Sequence, residues 1–501
     1  MRDLNSVQRL RVVAARGLLW LSGEQISRRA IDHVFTIILA RLLLPKDFGI
    51  IALASVFTSL LRNFADLGLG ASIVQRREID DEYLSTAFWA NLAAGVALTG
   101  SSAILAVLLS GIFQEPETRL VLVLLSFRFV ITAWSSTQYA VVSRRMDYRA
   151  LTIRNVAASV AGGLIGIVLA YQRAGVWSLV GQALGSTIIS TILIYHAVPW
   201  RPKREFSWAK FADLWAFGGP LQLSRLFNNL VRQSDNFLIG RYLGSTALGF
   251  YSLAYTVYLI PINDIGLLNT VLFSGFSRLQ GDSERLKRGF VLATRYATVL
   301  GLPVMVGLSL VAPVLVSTFF GEKWLPSAPI MSILALAGFL QLLTSFGPTG
   351  LVALGRADLR LQFSILSVLV YLPAYGVGLR WGTTGVAAGY LVATAVLTPI
   401  LYGFVARVLN VSVRDLWEAV YPAVLGSVLM AAVVWPVAWA AVEVLRLPSI
   451  IVLTLLVGLG ASVYGGAVWL IQRDVLLGLI RILREALPKS ENRPPTRARE
   501  T

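Results

Sequence analysis

Charged and amide side chains sit inside segments that are otherwise apolar, and they are the residues able to do chemistry here. Residues 17–40 carry Glu24, Gln25, Arg28, Arg29, Asp32 and His33, and residues 47–68 carry Arg62 and Asp66. Residues 214–240 carry Gln222, Arg225, Asn228, Asn229, Arg232, Gln233, Asp235 and Asn236, while Arg128 and Arg295 lie in two further apolar stretches. An Arg or Asp at the centre of a membrane helix costs about 2.5–3.5 kcal/mol on insertion scales, so such groups face a partner or a wet cavity. Helical spacing pairs Glu24 with Arg28, Arg29 with His33, and Arg62 with Asp66, each four apart. It also draws Arg225, Asn228 or Asn229, Arg232, Asp235 and Asn236 into one polar stripe. Mutual neutralisation accounts for the first pairs as well as function does. It does not account for the whole set, because Glu24, Asp32, Asp66, Asp235 and Asp264 oppose seven arginines, Arg28, Arg29, Arg62, Arg128, Arg225, Arg232 and Arg295. Guanidinium groups grip phosphate oxygens two at a time, and amides pair with hydroxyls. The surplus therefore suits an anionic, hydroxyl-rich ligand, whereas a site for lipophilic cations calls for acidic, aromatic walls.

The elements that position these groups are membrane helices. Hydrophobic residues make up 56% of the chain and charged ones 14%, against about 25% charged in soluble domains, and the mean hydropathy is +0.69. Apolar runs without alternation, such as 103–109, 121–125 and 450–457, favour helices over barrel strands. We read about fourteen spans of the ~20 residues that a bilayer requires. They lie near 17–40, 47–68, 87–112, 119–141, 154–171, 175–197, 214–240, 246–273, 290–319, 327–347, 361–379, 384–406, 419–443 and 449–472. The first and seventh are the least hydrophobic, and an internal repeat recovers them. Leu39-Ala40-Arg41-Leu42-Leu43, Phe48-Gly49 and Leu53-Ala54 return as Ile239-Gly240-Arg241-Tyr242-Leu243, Leu248-Gly249 and Leu253-Ala254, and Asp66-Leu67-Gly68 as Asp264-Ile265-Gly266. The expected fold is an all-α integral membrane protein of two six-helix lobes, 1–200 and 201–410, with two added helices in 411–472 and a basic tail, 473–501. Duplicated bundles of this kind hold transport sites between their halves. Pro220 after Gly218-Gly219, Pro261, Pro303, Pro313, Pro373, Pro399 and Pro436 mark bends, and Gly218-Gly219-Pro220 is the one expected to be mechanical.

Basic residues alternate between connections. By this count roughly 29 Lys and Arg fall on one side and roughly 8 on the other, which places both termini in the cytoplasm. The net charge of +17 is therefore an orientation signal and not a nucleic-acid footprint. With no Cys and two His, zinc sites, disulfides and thiol nucleophiles are excluded, and no metal or cofactor is expected. No removable signal peptide is expected after the basic residues 1–16. The stretch 475–483 is amphipathic and is expected on the inner leaflet, with 488–501 disordered.

Ala40-Arg41-Leu42-Leu43-Leu44-Pro45-Lys46-Asp47-Phe48-Gly49, followed by Phe64-Ala65-Asp66-Leu67-Gly68-Leu69, resembles the opening of bacterial polysaccharide-repeat-unit flippases of the colanic-acid-exporter type. Arg145-Met146-Asp147-Tyr148-Arg149, Gly175-Val176-Trp177-Ser178-Leu179-Val180, Leu253-Ala254-Tyr255, Phe276-Ser277-Arg278-Leu279-Gln280 and Gly321-Glu322-Lys323-Trp324 also fit, and the resemblance covers about residues 15 to 350. It implies the fold of multidrug-and-toxin exporters and peptidoglycan-precursor flippases. It further implies alternating access in the inner membrane, and a polyprenyl-diphosphate-linked oligosaccharide as cargo, in a pathway with a polymerase and a chain-length regulator. On that reading Arg28, Arg29, Arg62, Arg225, Asn228, Asn229 and Arg232 line a cationic cavity, and Glu24, Asp32, Asp66 and Asp235 are candidates for ion coupling. An ion-coupled multidrug exporter of the same fold is the alternative, and the basic surplus argues against it. A membrane enzyme fits less well, because its acceptor site needs a sizeable outer loop with acid and base residues. Asp80-Asp81, beside Arg76, Arg77, Glu78 and Glu82, is expected to be a solvated cytoplasmic loop. Arg232→Gln, or Arg28→Gln with Arg29→Gln, is expected to abolish polymer export at normal membrane levels. Wild-type export from both would refute the cavity assignment.

Overall fold

The computed structural model of the chain describes residues 25, 27–62, 67–76, 78–108, 115–266, 282–445 and 447–486, with side chains left undescribed at 217–232, 266, 283, 357, 474–476 and 478–486. Among these residues every regular element is helical. In chain order they are α1 (27–42), α2 (Pro45–Arg62), α3 (Leu69–Gln75), α4 (Asp81–Leu108), α5 (Pro116–Arg144), α6 (Tyr148–Tyr171), α7 (Val176–Ala197), α8 (Trp208–Tyr242), α9 (Gly244–Gly266), α10 (Ser283–Phe319), α11 (Ser327–Thr344), α12 (Gly347–Ala353), α13 (Ala357–Gly378), α14 (Gly382–Leu409), α15 (Val413–Trp439) and α16 (Ser449–Ala486). Each of the fourteen expected spans has a helix across its centre. Among the described residues ten stretches are long and apolar enough to cross a membrane by length and composition, one of them joining α13 and α14. The polar α8 is not among them, as its stripe of charges foretells.

Helix ends follow local chemistry. The Asp147 side chain accepts the Ala150 N–H at the start of α6, and Ser412 with Asp415 forms a capping box at the start of α15. α8 runs as one helix through Gly218-Gly219-Pro220. α16 continues to Ala486, but Gln472 leaves helical geometry (φ −146°, ψ 65°), so the amphipathic stretch begins where the spanning helix is kinked. Residues 488–501 lie outside the described residues.

The chain groups into two compact units. The first holds the described residues up to Val257 with Leu315–Leu334 and Ser364–Ala393. Its α4, α5 and α7 are laced by hydrogen bonds: Asn91 Nδ2 to Ser136 Oγ at 2.8 Å, Thr99 Oγ1 to the Ser126 carbonyl at 3.0 Å, and Thr191 Oγ1 to Ser135 Oγ at 3.2 Å. Helices in lipid associate through such bonds and through close packing at small residues, because lipid gives no hydrophobic drive. The second unit packs Phe290, Phe346, Leu351, Leu401, Val405 and Leu409 into one core, and Tyr464 of α16 donates to the Val299 carbonyl of α10 at 2.7 Å.

The repeat is structural as well as sequential. α1 ends at residue 42 and α8 at Tyr242, and α2 and α9 begin at Pro45 and Gly244. Leu39, Ala40, Leu53 and Ala54 are buried, as are Ile239, Leu253 and Ala254. Within the first unit the copies meet at their own equivalent positions. A Cβ on Gly49 would stand 1.7 Å from the Ser245 carbonyl oxygen, and one on Gly249 would stand 1.9 Å from the Pro45 carbonyl oxygen. Only a hydrogen fits at either place. We expect Gly49→Ala or Gly249→Ala to destabilise the protein by about 1–3 kcal/mol through overpacking, read as a lowered unfolding midpoint in detergent. Gly100→Ala, with open space around it, is expected to leave that midpoint unlowered.

Candidate functional site

α1 lays Phe35 and Leu39 against Gly163 and Gly166 of α6, where the missing side chains admit them. Residues 28, 32, 35 and 39 share one face of α1, and 159, 163 and 166 one face of α6. That register delivers Asp32 to Ser159, whose hydroxyl donates to Asp32 Oδ1. Arg28 closes on Asp32 Oδ2 at 3.2 Å, with both side chains about half open (40% and 43%). The expected Glu24–Arg28 and Arg62–Asp66 pairs cannot be followed, because Glu24 and Asp66 lie outside the described residues. Arg29 and His33 are half-buried one position further round α1.

Arg62 is exposed at the end of α2. It lies within electrostatic reach of Arg128 on α5, whose Nε donates to Thr187 Oγ1 of α7 at 3.1 Å. Arg154 on α6 donates from Nε to the Ser190 carbonyl at 3.0 Å and stands over the Tyr139 ring, 5.3 Å from its centroid. The sequence reading did not single out Arg154. It sits within the first two turns of its helix, where basic residues usually mark only orientation.

Asp235 occupies a different environment. It is 3% exposed, accepts the Tyr251 hydroxyl at 2.9 Å and the Asn236 N–H at 2.8 Å, and has no ion pair among the described residues. Tyr251 is fully buried and stacks on Tyr255, and Tyr371, Tyr375 and Tyr390 stack on one another in the same unit. The signal for this pair was present in the repeat but unread. Asp235 and Tyr251 stand two hundred residues after Phe35 and Ile51, so an apolar pair in one copy is a polar pair in the other. The side chains of Arg225, Asn228, Asn229 and Arg232 lie outside the described set, although α8 carries their backbone. Among the described residues no three His, Asp or Glu converge to hold a metal.

The expected solvated charges at Asp80-Asp81 are open to water and also belong to a clamp. Lys210 bridges Asp80 and Glu82 at 2.7 and 2.6 Å, Lys203 meets Asp81 at 2.9 Å, and Arg76 pairs with Asp213. Lys210 holds the Asp80 carboxyl below its usual range. Trp89 donates to the Lys203 carbonyl at 2.8 Å, and Ser85 and Thr86 accept the backbone N–H groups of Lys203 and Ser207. The segment joining α7 to α8 is thereby held along α4. The charges are open to water, but they are spoken for by residues more than a hundred positions away.

Comparison with known families decides the class. The model of a family described as polysaccharide biosynthesis protein matches residues 38–329. The chain belongs to that family. The resemblance read over about residues 15 to 350 is borne out, and the chain is a multi-span membrane protein. It is similar to the lipopolysaccharide biosynthesis protein WzxC of Escherichia coli (strain K12), 25% identical over 397 residues, covering 78% of this chain and 81% of that one. It is also similar to the succinoglycan biosynthesis transport protein ExoT of Rhizobium meliloti (strain 1021), 27% identical over 393 residues, covering 78% and 79%. Among solved structures, the fold matches the lipid II flippase MurJ in an inward closed conformation with a TM-score of 0.72 at 15% identity, covering 92% of this chain and all of that one. An inward-facing multidrug resistance MATE transporter matches with a TM-score of 0.63 at 18% identity, covering 77% and 98%. The expected fold class is thus the observed one.

Losing a donor to a buried carboxylate costs about 1–3 kcal/mol, whereas removing both partners together costs less. Tyr251→Phe is expected to lower the thermal midpoint in detergent by more than Tyr251→Phe combined with Asp235→Leu. A Tyr251→Phe protein as stable as the parent would show that the Asp235 bond carries no weight.

Proposed function

We propose that this protein is a flippase that turns polyprenyl-diphosphate-linked oligosaccharide repeat units across the cytoplasmic membrane by alternating access, for surface polysaccharide synthesis. Two six-helix lobes, 1–200 and 201–410, move about the cargo, and both termini face the cytoplasm, in keeping with the basic connections on that side. The observation that carries the reading is a chain of a polysaccharide biosynthesis family with a flippase fold, whose first helix holds charged groups half open inside a membrane bundle. WzxC and ExoT, by their names, serve the making of lipopolysaccharide and the transport of succinoglycan. The lipid tail stays in the bilayer, so only the head crosses. Guanidinium groups at Arg28, Arg29, Arg62, Arg225 and Arg232 meet the diphosphate or acidic sugars, and Asn228 and Asn229 meet hydroxyls. A polymerase and a chain-length regulator take up the unit outside.

Asp235 suits ion coupling better than Asp32. Asp32 already has Arg28, whereas among the described residues Asp235 is held by neutral donors, where gaining a proton or a cation changes the local charge most. In vesicles holding the protein and a polyprenyl-diphosphate oligosaccharide, we expect an imposed ion gradient to accelerate translocation by the parent. Asp235→Asn is expected to retain gradient-independent exchange but lose that acceleration. A variant that responds to the gradient like the parent removes Asp235 from the coupling role, and a parent that moves no oligosaccharide removes the flippase reading.

A further inference from the structure

Two helices end side by side in the first unit, and each caps the other. Arg41, at the end of α1, donates from Nε to the Phe319 carbonyl at 2.7 Å and from its terminal nitrogen to the Thr318 carbonyl, the last acceptors of α10. Lys323, in the turn after α10, returns the favour to α1: its Nζ meets the Arg41 carbonyl at 2.8 Å and the Leu43 carbonyl at 2.6 Å. Trp324 completes the exchange by donating Nε1–H to the Ala40 carbonyl at 2.8 Å. Each helix C-terminus carries roughly half a negative charge, so two placed together repel unless cations stand between them. Here the two cations cross over.

The clasp sits on the meeting point of the repeats. The Trp324 ring is fully buried, edge-on to Phe48 of α2 at 5.2 Å and near Phe250 of α9 at 6.1 Å. Beside it Lys46 pairs with Glu115 at 2.8 Å, and Glu115 accepts the Ser245 hydroxyl at 3.0 Å. Gly49 and Gly249 close the same crossing. The clasp lies at the ends of α1 and α10, and its neighbours near the starts of α2, α5 and α9, on the side that the charge pattern places outside the cell, opposite the chain termini.

We propose that Arg41, Lys323 and Trp324 form the outer gate of the transporter, a reciprocal helix-end clasp whose opening lets cargo leave; this rests on the flippase reading. The chemistry suits a contact made to be broken. Freed helix-end carbonyls and freed cations are both re-bonded by water, so opening strands no buried charge. Closing returns Trp324 to an apolar pocket, which draws the halves back together.

The chain has no cysteine, so single thiols report the gate without background. Val316, in the last turn of α10, is fully buried, and Gln172, in the turn between α6 and α7, is exposed. We expect Val316→Cys to react slowly with a membrane-impermeant maleimide added outside. Adding Arg41→Gln or Lys323→Gln is expected to speed that reaction about tenfold, with Lys323→Arg near the parent rate, while Gln172→Cys reacts equally in every background. A second arm leaves the clasp intact: Glu115→Cys with Ser245→Cys, at side chains that hydrogen-bond from one lobe to the other at 3.0 Å, joined by a short cleavable bifunctional reagent, is expected to stop translocation until the bridge is reduced. Unchanged Val316→Cys labelling in the glutamine variants, or translocation through the joined pair, overturns the proposal. Labelling needs no cargo, so failure of the flippase reading shows separately, as a parent that labels as expected and moves nothing.

Discussion

Much of the first unit depends on main chain meeting main chain where α2 crosses α9. Gly49 faces the Ser245 carbonyl and Gly249 faces the Pro45 carbonyl, an exchange that maps onto itself when the repeats are interchanged. At that separation no side chain fits between the helices, so the contact fixes their spacing to within the size of a methyl group. Phe48, Phe250 and Trp324 then fill the space beside it, and the ends of α1 and α10 fall within reach of one another. Gly240 likewise receives Leu53, and Phe57 meets Phe237 edge-on at 6.2 Å, so α2 also keeps its register against α8.

Polar groups inside the first unit find partners by two routes. Hydroxyls and amides bond across helices, as Asn91 does to Ser136 and Thr191 to Ser135, and these fasten the early helices together. Cations are directed to carbonyls and rings as often as to carboxylates: Arg41 and Lys323 to helix ends, Arg154 to the Ser190 carbonyl and Tyr139. Arg28 with Asp32 keeps both charges and stays half open, as a surface for water and for an anionic head requires.

The spans were legible because a bilayer demands about twenty apolar residues each time. Even α8, too polar for that test, was recovered from its place in the repeat. What escaped was whatever depends on residues far apart. Nothing near Asp80 foretells Lys210, so the clamp on the α7–α8 connection read only as a solvated loop. Neither Arg41 nor Lys323 stands out in the sequence as a helix-end donor, since their acceptors are backbone atoms with no sequence signature. Of the candidate site, Asp32 was legible as a charge needing a partner, but its choice of Ser159 follows from how α1 seats on the α6 glycines. Asp235 was singled out for its charge, and its tyrosine partner becomes visible only where the second copy departs from the first.

Every acceptor in the α1–α10 clasp is a peptide oxygen. The side chains at Ala40, Leu43, Thr318 and Phe319 are therefore bystanders to it. They can change identity while the helix ends keep the same grip, so long as the helix itself persists. The whole chemical burden of the latch rests on three donors, which makes it tolerant of drift on one side and brittle on the other.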